Sequence, residues 1–291
     1  MCERDQVDTT GRNGSFDWTL NRRQFALGGL GALAACASGA TGGGTASLKE
    51  ERVRVSTPDG VMDAFFVHPS RGRHPAIVTW PDIAGLREAF EVMARRLAAQ
   101  GFAVLVVNPY YRALPAPQFS DFAAFSAQGG FQKVGPWRAA LTADAIKRDA
   151  VAAIGWLDGR REVDTTKGVG THGYCMGGPF TVWTAAAVPG RVRAAASLHG
   201  GGLVKPNDPQ SPHALLGATQ ARYLFAFGQD DDAKDPAVKA ALREAAAAVG
   251  REAEVEVYAA NHGWTVIDSP SFNAPEAERA WARMSALFAA M

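Results

Sequence analysis

The sequence predicts an α/β fold with a mostly parallel sheet of about eight strands, covered by helices on both faces. Short continuous apolar runs alternate with longer segments of helical periodicity, as expected for strands buried on both faces and joined by helices. In addition, 291 residues with 47% hydrophobic content can bury one large core. The formal net charge of +1 and the lack of a dense basic run argue against a nucleic-acid partner.

Residues 1–46 are predicted to be an export signal and flexible leader, and residues 47–291 to form the folded domain. Paired arginines in Asn21-Arg22-Arg23-Gln24-Phe25 precede a mild apolar run over residues 26–37. This order is typical of a twin-arginine signal, and it predicts export to the periplasm. The alternative is an accidental arginine pair in a flexible tail. The apolar run is shorter than the roughly 20 residues that span a bilayer, so we expect no transmembrane helix in the mature chain.

The three cysteines have different expected fates. Leu33-Ala34-Ala35-Cys36 resembles a lipobox, whose cysteine is acylated and becomes a lipid anchor; ordinary cleavage after a small residue is the alternative. Cys2 would be removed with the leader. Cys175 is then the only free thiol of the domain, in a compartment that favours disulfides but offers it no partner.

The first element of the domain is predicted to be an antiparallel hairpin. Two β-rich runs, 53–55 and 61–67, flank the turn signal Pro58-Asp59-Gly60. The later segments alternate between the two types, with strands at 76–80, 102–107, 167–173, 192–199, 222–228 and 254–260 and helices at 86–100, 142–159, 177–188, 235–249 and 274–290. Residues 111–141 interrupt this rhythm with prolines, glycines and aromatic residues. They are interpreted as a lid or substrate-pocket wall or, alternatively, as a packed surface excursion.

Cys175 lies where a predicted strand turns into a predicted helix, in Gly173-Tyr174-Cys175-Met176-Gly177. The spacing Gly-x-Cys-x-Gly is typical of a nucleophile elbow, a strained turn in which side chains at the glycine positions would collide. The amino end of the following helix favours negative charge and therefore a thiolate. A buried, inert cysteine is the alternative. Together with about eight strands, the elbow predicts the α/β-hydrolase fold.

The chain order of that fold is nucleophile, acid, histidine. His262 is the only histidine that follows every candidate acid beyond Cys175, and it follows a strand-like run directly. His199 is its rival. It begins His199-Gly200-Gly201-Gly202, which resembles a lipase oxyanion motif but comes after the nucleophile instead of before it. We interpret that segment as a loop that lines the pocket.

The acid is expected after the strand at 222–228, where Gly228-Gln229 precede Asp230, Asp231 and Asp232. The spacing Gly-x-x-Asp favours Asp231, and Asp230 is the second choice. The carboxylate would hold the imidazole in the tautomer that accepts the thiol proton and would stabilise the resulting imidazolium.

These motifs resemble the dienelactone hydrolase family, which consists of Cys-His-Asp α/β-hydrolases. The resemblance covers about residues 50–290 and rests on the cysteine elbow, the acid after Gly228-Gln229, His262-Gly263-Trp264 and Pro81-Asp82-Ile83-Ala84-Gly85-Leu86. It implies an oxyanion hole formed by the backbone N–H groups of Ile83 and Met176. It also implies that Asp82, where the family has a glutamate, is the carboxylate that controls the resting thiol.

The motifs and the resemblance together predict a hydrolase that cleaves a lactone or small carboxylic ester. No metal or organic cofactor is predicted, because no cluster has ligand spacing and no glycine loop is suited to phosphate. The arginines with which family members bind a dienelactone carboxylate have no evident counterpart, and Arg112 is the only evident cation in a suitable position. The alternatives are a non-catalytic envelope protein that binds a small apolar ligand and a thiol redox protein that uses Cys175, although a resolving cysteine is lacking.

Overall fold

One eight-stranded sheet organises residues 47–291, the part of the chain that the computed structural model describes. The strands are β1 (Leu48–Thr57), β2 (Gly60–Pro69), β3 (Ala76–Trp80), β4 (Ala103–Val107), β5 (Val169–Tyr174), β6 (Val192–Leu198), β7 (Arg222–Gly228) and β8 (Ala253–Tyr258). Their order in the sheet is β1-β2-β4-β3-β5-β6-β7-β8. β1 and β2 form an antiparallel hairpin, β2 is antiparallel to β4, and β3 to β8 are mutually parallel. The predicted fold class is confirmed.

Helices cover the two faces of this sheet. They are α1 (Glu88–Ala99), α2 (Phe122–Ala127), α3 (Gly130–Lys133), α4 (Gly135–Ala139), α5 (Ala143–Asp158), α6 (Gly178–Ala187), α7 (Pro212–Leu215), α8 (Gln229–Lys234), α9 (Ala237–Ala248) and α10 (Ala274–Ala289). The five long helices each lie within their predicted ranges. The short helices α2, α3, α4, α7 and α8 were not predicted, and α8 contains the three aspartates that follow β7.

Two apolar layers enclose the sheet, because successive side chains of a strand point to opposite faces. Ile77 packs in one buried cluster with Phe90 of α1 and Trp281 of α10. Its neighbour Val78 packs in the other cluster with residues of α5 and α6, such as Ile154. Burying β3 on both faces explains its largely apolar sequence. Because β3 to β8 are parallel, their carboxyl ends lie at one edge of the sheet.

Residues 111–141 fold as α2, α3 and α4 and pack over that edge through aromatic side chains. The Asp121 carboxylate caps α2 by accepting a hydrogen bond from the amide of Ala124, with a distance of 2.7 Å. The segment contributes half of a third apolar cluster, whose members are Ile83, Ala84, Tyr110, Phe119, Phe125 and Val134, with Phe122, Trp137, Leu141 and Met176 packed against it. The segment therefore packs against Ile83 and Met176, the two residues implied for the oxyanion hole.

The leader carries several sequence-based predictions. The twin-arginine motif at Arg22-Arg23, the lipobox cysteine Cys36 and Cys2 all lie outside the described residues. Within residues 47–291, none of the helices is both long enough and apolar enough to span a bilayer. The export and lipid-anchor assignments stay predictions.

Candidate active site

Cys175 lies on a sharp bend at the carboxyl end of the central strand β5. A short 3₁₀ turn, Cys175–Gly177, connects β5 to α6. The backbone φ of Cys175 is 51°, a left-handed value that residues other than glycine seldom adopt. Such strain persists only where the surrounding structure imposes it, and it is concentrated at functional sites. The thiol is half-buried and, within residues 47–291, is the only cysteine.

The glycines on either side of Cys175 are sterically required. A Cβ atom at Gly173 would overlap the carbonyl oxygen of Gly177. A Cβ atom at Gly177 would lie 2.5 Å from the carbonyl oxygen of Trp80 at the end of β3. The Gly-x-Cys-x-Gly spacing therefore follows from close backbone packing between the elbow and its neighbouring strand.

His262 connects Cys175 to Asp231. The Nδ1 atom of His262 lies 2.9 Å from Oδ1 and 3.0 Å from Oδ2 of Asp231, and the side chain of Cys175 interacts with the same ring. Cys175, Asp231 and His262 follow β5, β7 and β8 respectively, so the parallel sheet brings them together at its carboxyl edge. The side chains of His262 and Asp231 are 36% and 23% exposed, which leaves both in contact with solvent.

The surroundings of His262 favour its protonated form. Burial alone would lower the pKa of its ring. The Asp231 carboxylate and the side chain of Cys175, which both interact with the ring, outweigh this effect and raise the pKa of His262 to about 11. The ring therefore holds a proton at neutral pH, between a carboxylate and a sulfur atom.

Of the two candidate acids, Asp231 contacts the imidazole ring, whereas Asp230 supports the loop. The Oδ1 atom of Asp230 accepts hydrogen bonds from the backbone amides of His262, at 2.8 Å, and Asp231, at 3.0 Å. A Cβ atom at Gly228 would lie 2.7 Å from that same oxygen. The lack of a side chain at Gly228 thus allows the Asp230 carboxylate to reach the loop that contains His262. The sequence analysis missed this requirement. Asp232 instead pairs with Lys239.

His199 packs beside His262 without contacting Asp231. The two rings meet nearly edge to face, with their centroids 4.8 Å apart, and Nε2 of His199 lies 3.0 Å from Oγ1 of Thr265. Burial and the charge of His262 hold the pKa of His199 well below its usual value, so the ring is neutral. A Cβ atom at Gly200 would lie 2.9 Å from Cα of Gly178, so the glycine directly after His199 permits close packing on the elbow helix.

The two residues implied for the oxyanion hole are held together by Tyr110. Its hydroxyl donates a hydrogen bond to the carbonyl oxygen of Ile83, at 2.8 Å, and lies 3.3 Å from Sδ of Met176. Within residues 47–291, the backbone N–H of Ile83 has no hydrogen-bond partner. Burial raises the pKa of Tyr110 above its ordinary value, so the hydroxyl remains a donor. The sequence analysis assigned no role to Tyr110, although its position three residues after β4 could have indicated one.

Comparison with known proteins identifies the family of this chain. The model of the dienelactone hydrolase family matches residues 62–291. This chain belongs to the dienelactone hydrolase family. As a member, it is a hydrolase that acts on esters or lactones.

Several relatives of this family member are similar to it over most of their length. A "putative carboxymethylenebutenolidase" of Methylorubrum extorquens is 27% identical over 242 residues, covering 81% of this chain and 79% of the relative. The protein of the same name from Escherichia coli is 28% identical over 228 residues, covering 77% of this chain and 80% of the relative. The crystal structure of a "putative dienelactone hydrolase" from Klebsiella pneumoniae shares the fold, with a TM-score of 0.70, 22% identity and coverage of 84% and 99%.

Asp82, the carboxylate that the family resemblance places beside the thiol, contacts other groups in this family member. Its Oδ1 and Oδ2 atoms lie 2.7 Å and 3.0 Å from the two Nη atoms of Arg87, and Oδ1 also accepts from the amide of Ala84 at 2.9 Å. Control of the thiol by Asp82 stays a prediction. Arg87 had no assigned role in the sequence analysis, because nothing in its local sequence distinguishes it.

Arg112, the cation considered for a substrate carboxylate, is already paired with two aspartates. Its Nη2 atom lies 2.6 Å from Oδ2 of Asp59 and 2.8 Å from Oδ1 of Asp149. Two carboxylates therefore neutralise this guanidinium. Among residues 47–291, there is also no group of three or more His, Cys, Asp or Glu side chains arranged to hold a metal ion.

Proposed function

We propose that the protein hydrolyses a lactone or small carboxylic ester with Cys175 as nucleophile, His262 as proton carrier and Asp231 as the group that orients His262. The observation that carries this proposal is the position of the His262 ring, which is hydrogen-bonded to Asp231 and interacts with the side chain of Cys175. A sulfur atom and an imidazole in contact on this edge of the sheet form the arrangement that activates a nucleophile. The names of the relatives, carboxymethylenebutenolidases, support a lactone or ester as the substrate class.

In the first half of the proposed reaction, Cys175 attacks the substrate carbonyl as a thiolate whose proton resides on His262. The N–H groups of Ile83 and Met176 would bind the oxyanion of the tetrahedral intermediate, where aligned donors stabilise developing charge. The intermediate collapses to a thioester on Cys175, and the leaving alkoxide takes the proton from His262. With a lactone, the alkoxide remains attached to the acyl group.

In the second half, the neutral ring of His262 removes a proton from water, which attacks the thioester carbonyl. Collapse of the second tetrahedral intermediate releases the carboxylic acid and regenerates the thiolate and the imidazolium. Asp231 would keep Nδ1 as the proton-bearing nitrogen in both halves, so that Nε2 remains the atom that exchanges protons. This assignment uses the contact between Nδ1 of His262 and both oxygens of Asp231.

Turnover of a chromogenic ester by the wild type, Cys175→Ala and His262→Ala tests this proposal. We expect turnover by the wild type and its loss in both variants. Equal rates in the three proteins would contradict the hydrolase mechanism. A non-catalytic binding protein would show no turnover above background, and a thiol redox protein would consume peroxide in a way that survives loss of His262 better than loss of Cys175.

We also propose that the protein acts in the periplasm after twin-arginine export, with Cys36 as a lipid anchor. The pair Arg22-Arg23 before a weakly apolar run supports export, and Leu33-Ala34-Ala35-Cys36 supports acylation. Fractionation of cells that express the wild type or a double Arg22→Lys, Arg23→Lys variant tests the first step. Retention of only the variant in the cytoplasm is expected, and equal export of both would contradict it.

A further inference from the structure

Arg87 is a buried guanidinium whose N–H donors all have acceptors. Its side chain is 0% exposed. Besides the two bonds to Asp82 described above, it donates to Oδ2 of Asp268 through Nε and to Oδ1 through Nη2, both at 2.7 Å, and to the carbonyl oxygen of Gly85 at 3.1 Å. A guanidinium has five N–H groups, so this one is fully satisfied and forked on two carboxylates.

The two carboxylates belong to different segments of the candidate active site. Asp82 precedes Ile83 in the loop after β3, and Asp268 lies in the loop that runs from His262 to α10. Asp268 also reaches the segment over the site, because its Oδ2 atom accepts from the amide of Phe122 at 3.0 Å. One guanidinium therefore connects the proposed oxyanion donor, the histidine loop and the beginning of α2.

Stability alone is a weak reason for such a cluster. Removing two carboxylates and a guanidinium from water costs free energy that their attraction only partly offsets, and apolar replacements are often as stable. A forked, buried cation does fix the relative position of the groups it binds, since its donors are planar and rigid. The negative charges of Asp82 and Asp268 outweigh burial and raise the pKa of Arg87 above its ordinary value, so the cation persists at every relevant pH.

We infer that Arg87 is a positioning residue. Through Asp82 and Asp268, it holds the backbone N–H of Ile83 at a fixed position relative to His262. This inference rests on the proposed function. A displacement of about 1 Å in a catalytic group can lower a rate roughly 100-fold. A small shift of the Ile83 N–H relative to His262 therefore affects turnover before it affects folding. Because an oxyanion donor interacts most strongly with the transition state, the loss falls on kcat with little change in KM.

The test compares Arg87→Lys, Asp268→Asn and the control Arg191→Lys in the full chain. Lysine keeps the charge but has no fork to bind two carboxylates. Arg191 also forks on a carboxylate, Asp158, at 3.1 Å and 2.9 Å, but it precedes β6 at the opposite edge of the sheet. The measurements are kcat and KM for a chromogenic ester, the thermal midpoint, and the rate at which iodoacetamide alkylates Cys175. Alkylation needs the thiolate and His262 but no oxyanion hole.

For Arg87→Lys we expect kcat to fall roughly 10- to 100-fold, with KM and the alkylation rate within about threefold of wild type. Asp268→Asn keeps the shape and one acceptor, so its kcat should fall less, by roughly 5- to 20-fold. It also tests the same contact if Arg87→Lys does not fold. Arg191→Lys should lower the thermal midpoint and leave kcat unchanged.

Wild-type kcat in both Arg87→Lys and Asp268→Asn would overturn the inference, and so would parallel losses of kcat, alkylation rate and thermal midpoint, which indicate general unfolding. A wild type that does not hydrolyse the ester would overturn the proposed function and this inference with it. An active wild type with unaffected variants would overturn the inference alone.

Discussion

Two charged groups share the carboxyl edge of the sheet, and their surroundings differ sharply. Cys175, His262 and Asp231 form a partly exposed group in which the ring of His262 contacts a sulfur atom on one side and a carboxylate on the other. Asp82, Arg87 and Asp268 form a second group around a guanidinium that is buried with every donor engaged. In the first group, the imidazole of His262 can give up its proton. In the second group, the guanidinium of Arg87 stays protonated.

This difference corresponds to two physical tasks. A group that transfers protons needs a pKa that its neighbours can adjust and needs access to substrate and water. A group that holds backbone segments in place needs charges that do not titrate and hydrogen bonds in a fixed geometry. Substitutions at Cys175, Asp231 and His262 test the first task, and those at Arg87 and Asp268 test the second.

The largest effect is expected for Cys175→Ala. Removing the proposed nucleophile should lower kcat for ester hydrolysis by roughly 1,000-fold or more, because the remaining groups offer no equivalent attacking atom. The urea midpoint should change little, since the thiol is only half-buried. Steady-state kinetics and urea unfolding of the same preparation measure both quantities. A turnover within about tenfold of wild type would mean that another group attacks the carbonyl.

Asp231→Asn and Asp230→Asn form a matched pair on one loop. An amide at position 231 loses the charge that stabilises the imidazolium and also favours the wrong tautomer, so kcat should fall by roughly 100-fold or more. An amide at position 230 still accepts from the backbone of His262, so kcat should stay within about fivefold and the unfolding free energy within about 1 kcal/mol of wild type. Equal losses of kcat in the two variants would contradict the separate roles.

The raised pKa of His262 predicts how stability depends on pH. The pKa is about 11 in the folded protein against an ordinary 6.5, so the native state binds the extra proton between these values. Its contribution to stability is fully present below about pH 6.5 and is lost as the pH rises through about 11. The urea midpoint of the wild type should therefore fall across this window more steeply than that of His262→Gln. Parallel curves for the two proteins would contradict the raised pKa.

A small loss is expected for Tyr110→Phe, which removes the hydroxyl that donates to the carbonyl oxygen of Ile83. The carbonyl oxygen of Ile83 loses its donor, and we expect kcat to fall by roughly three- to tenfold while KM is unchanged. Tyr223→Phe is the control, because its buried hydroxyl donates to Oγ1 of Thr219 at 2.8 Å near the amino end of β7. Measured kcat values should differ between the two variants, and equal values would mean that Tyr110 does not support the oxyanion hole.

Local sequence patterns were sufficient to predict the sheet and its long helices. Apolar runs such as Ala103–Val107 are buried on both faces, so their composition indicates strands. Gly101 follows the end of α1, and a glycine at this place is a helix-stop signal. The contact between His262 and Asp231 could be proposed because chain order on this fold restricts the choice. The choice between Asp230 and Asp231 depended on which carboxylate the turn after Gly228 aims at the ring, and spacing only favoured one of them.

Other features could not be predicted because they depend on distant residues. Helices α2 to α4 are too short to be stable by themselves and form where Phe119 and Phe125 pack against Ile83 and Met176. The local indications were Asp121, an N-cap before the apolar run of α2, and Pro136 in the first turn of α4. Arg87 and Asp268 are far apart in the chain, so their contact has no sequence signature.

The most direct test of the central claim is the detection of an acyl group on Cys175 during turnover. The protein would be mixed with an activated ester, quenched in acid at successive times, digested and analysed by mass spectrometry. We expect one acyl group on the peptide that contains Cys175, which disappears once the substrate is consumed. A Cys175 peptide that stays unmodified while the ester is hydrolysed, or an acyl group on a different residue, would contradict the account.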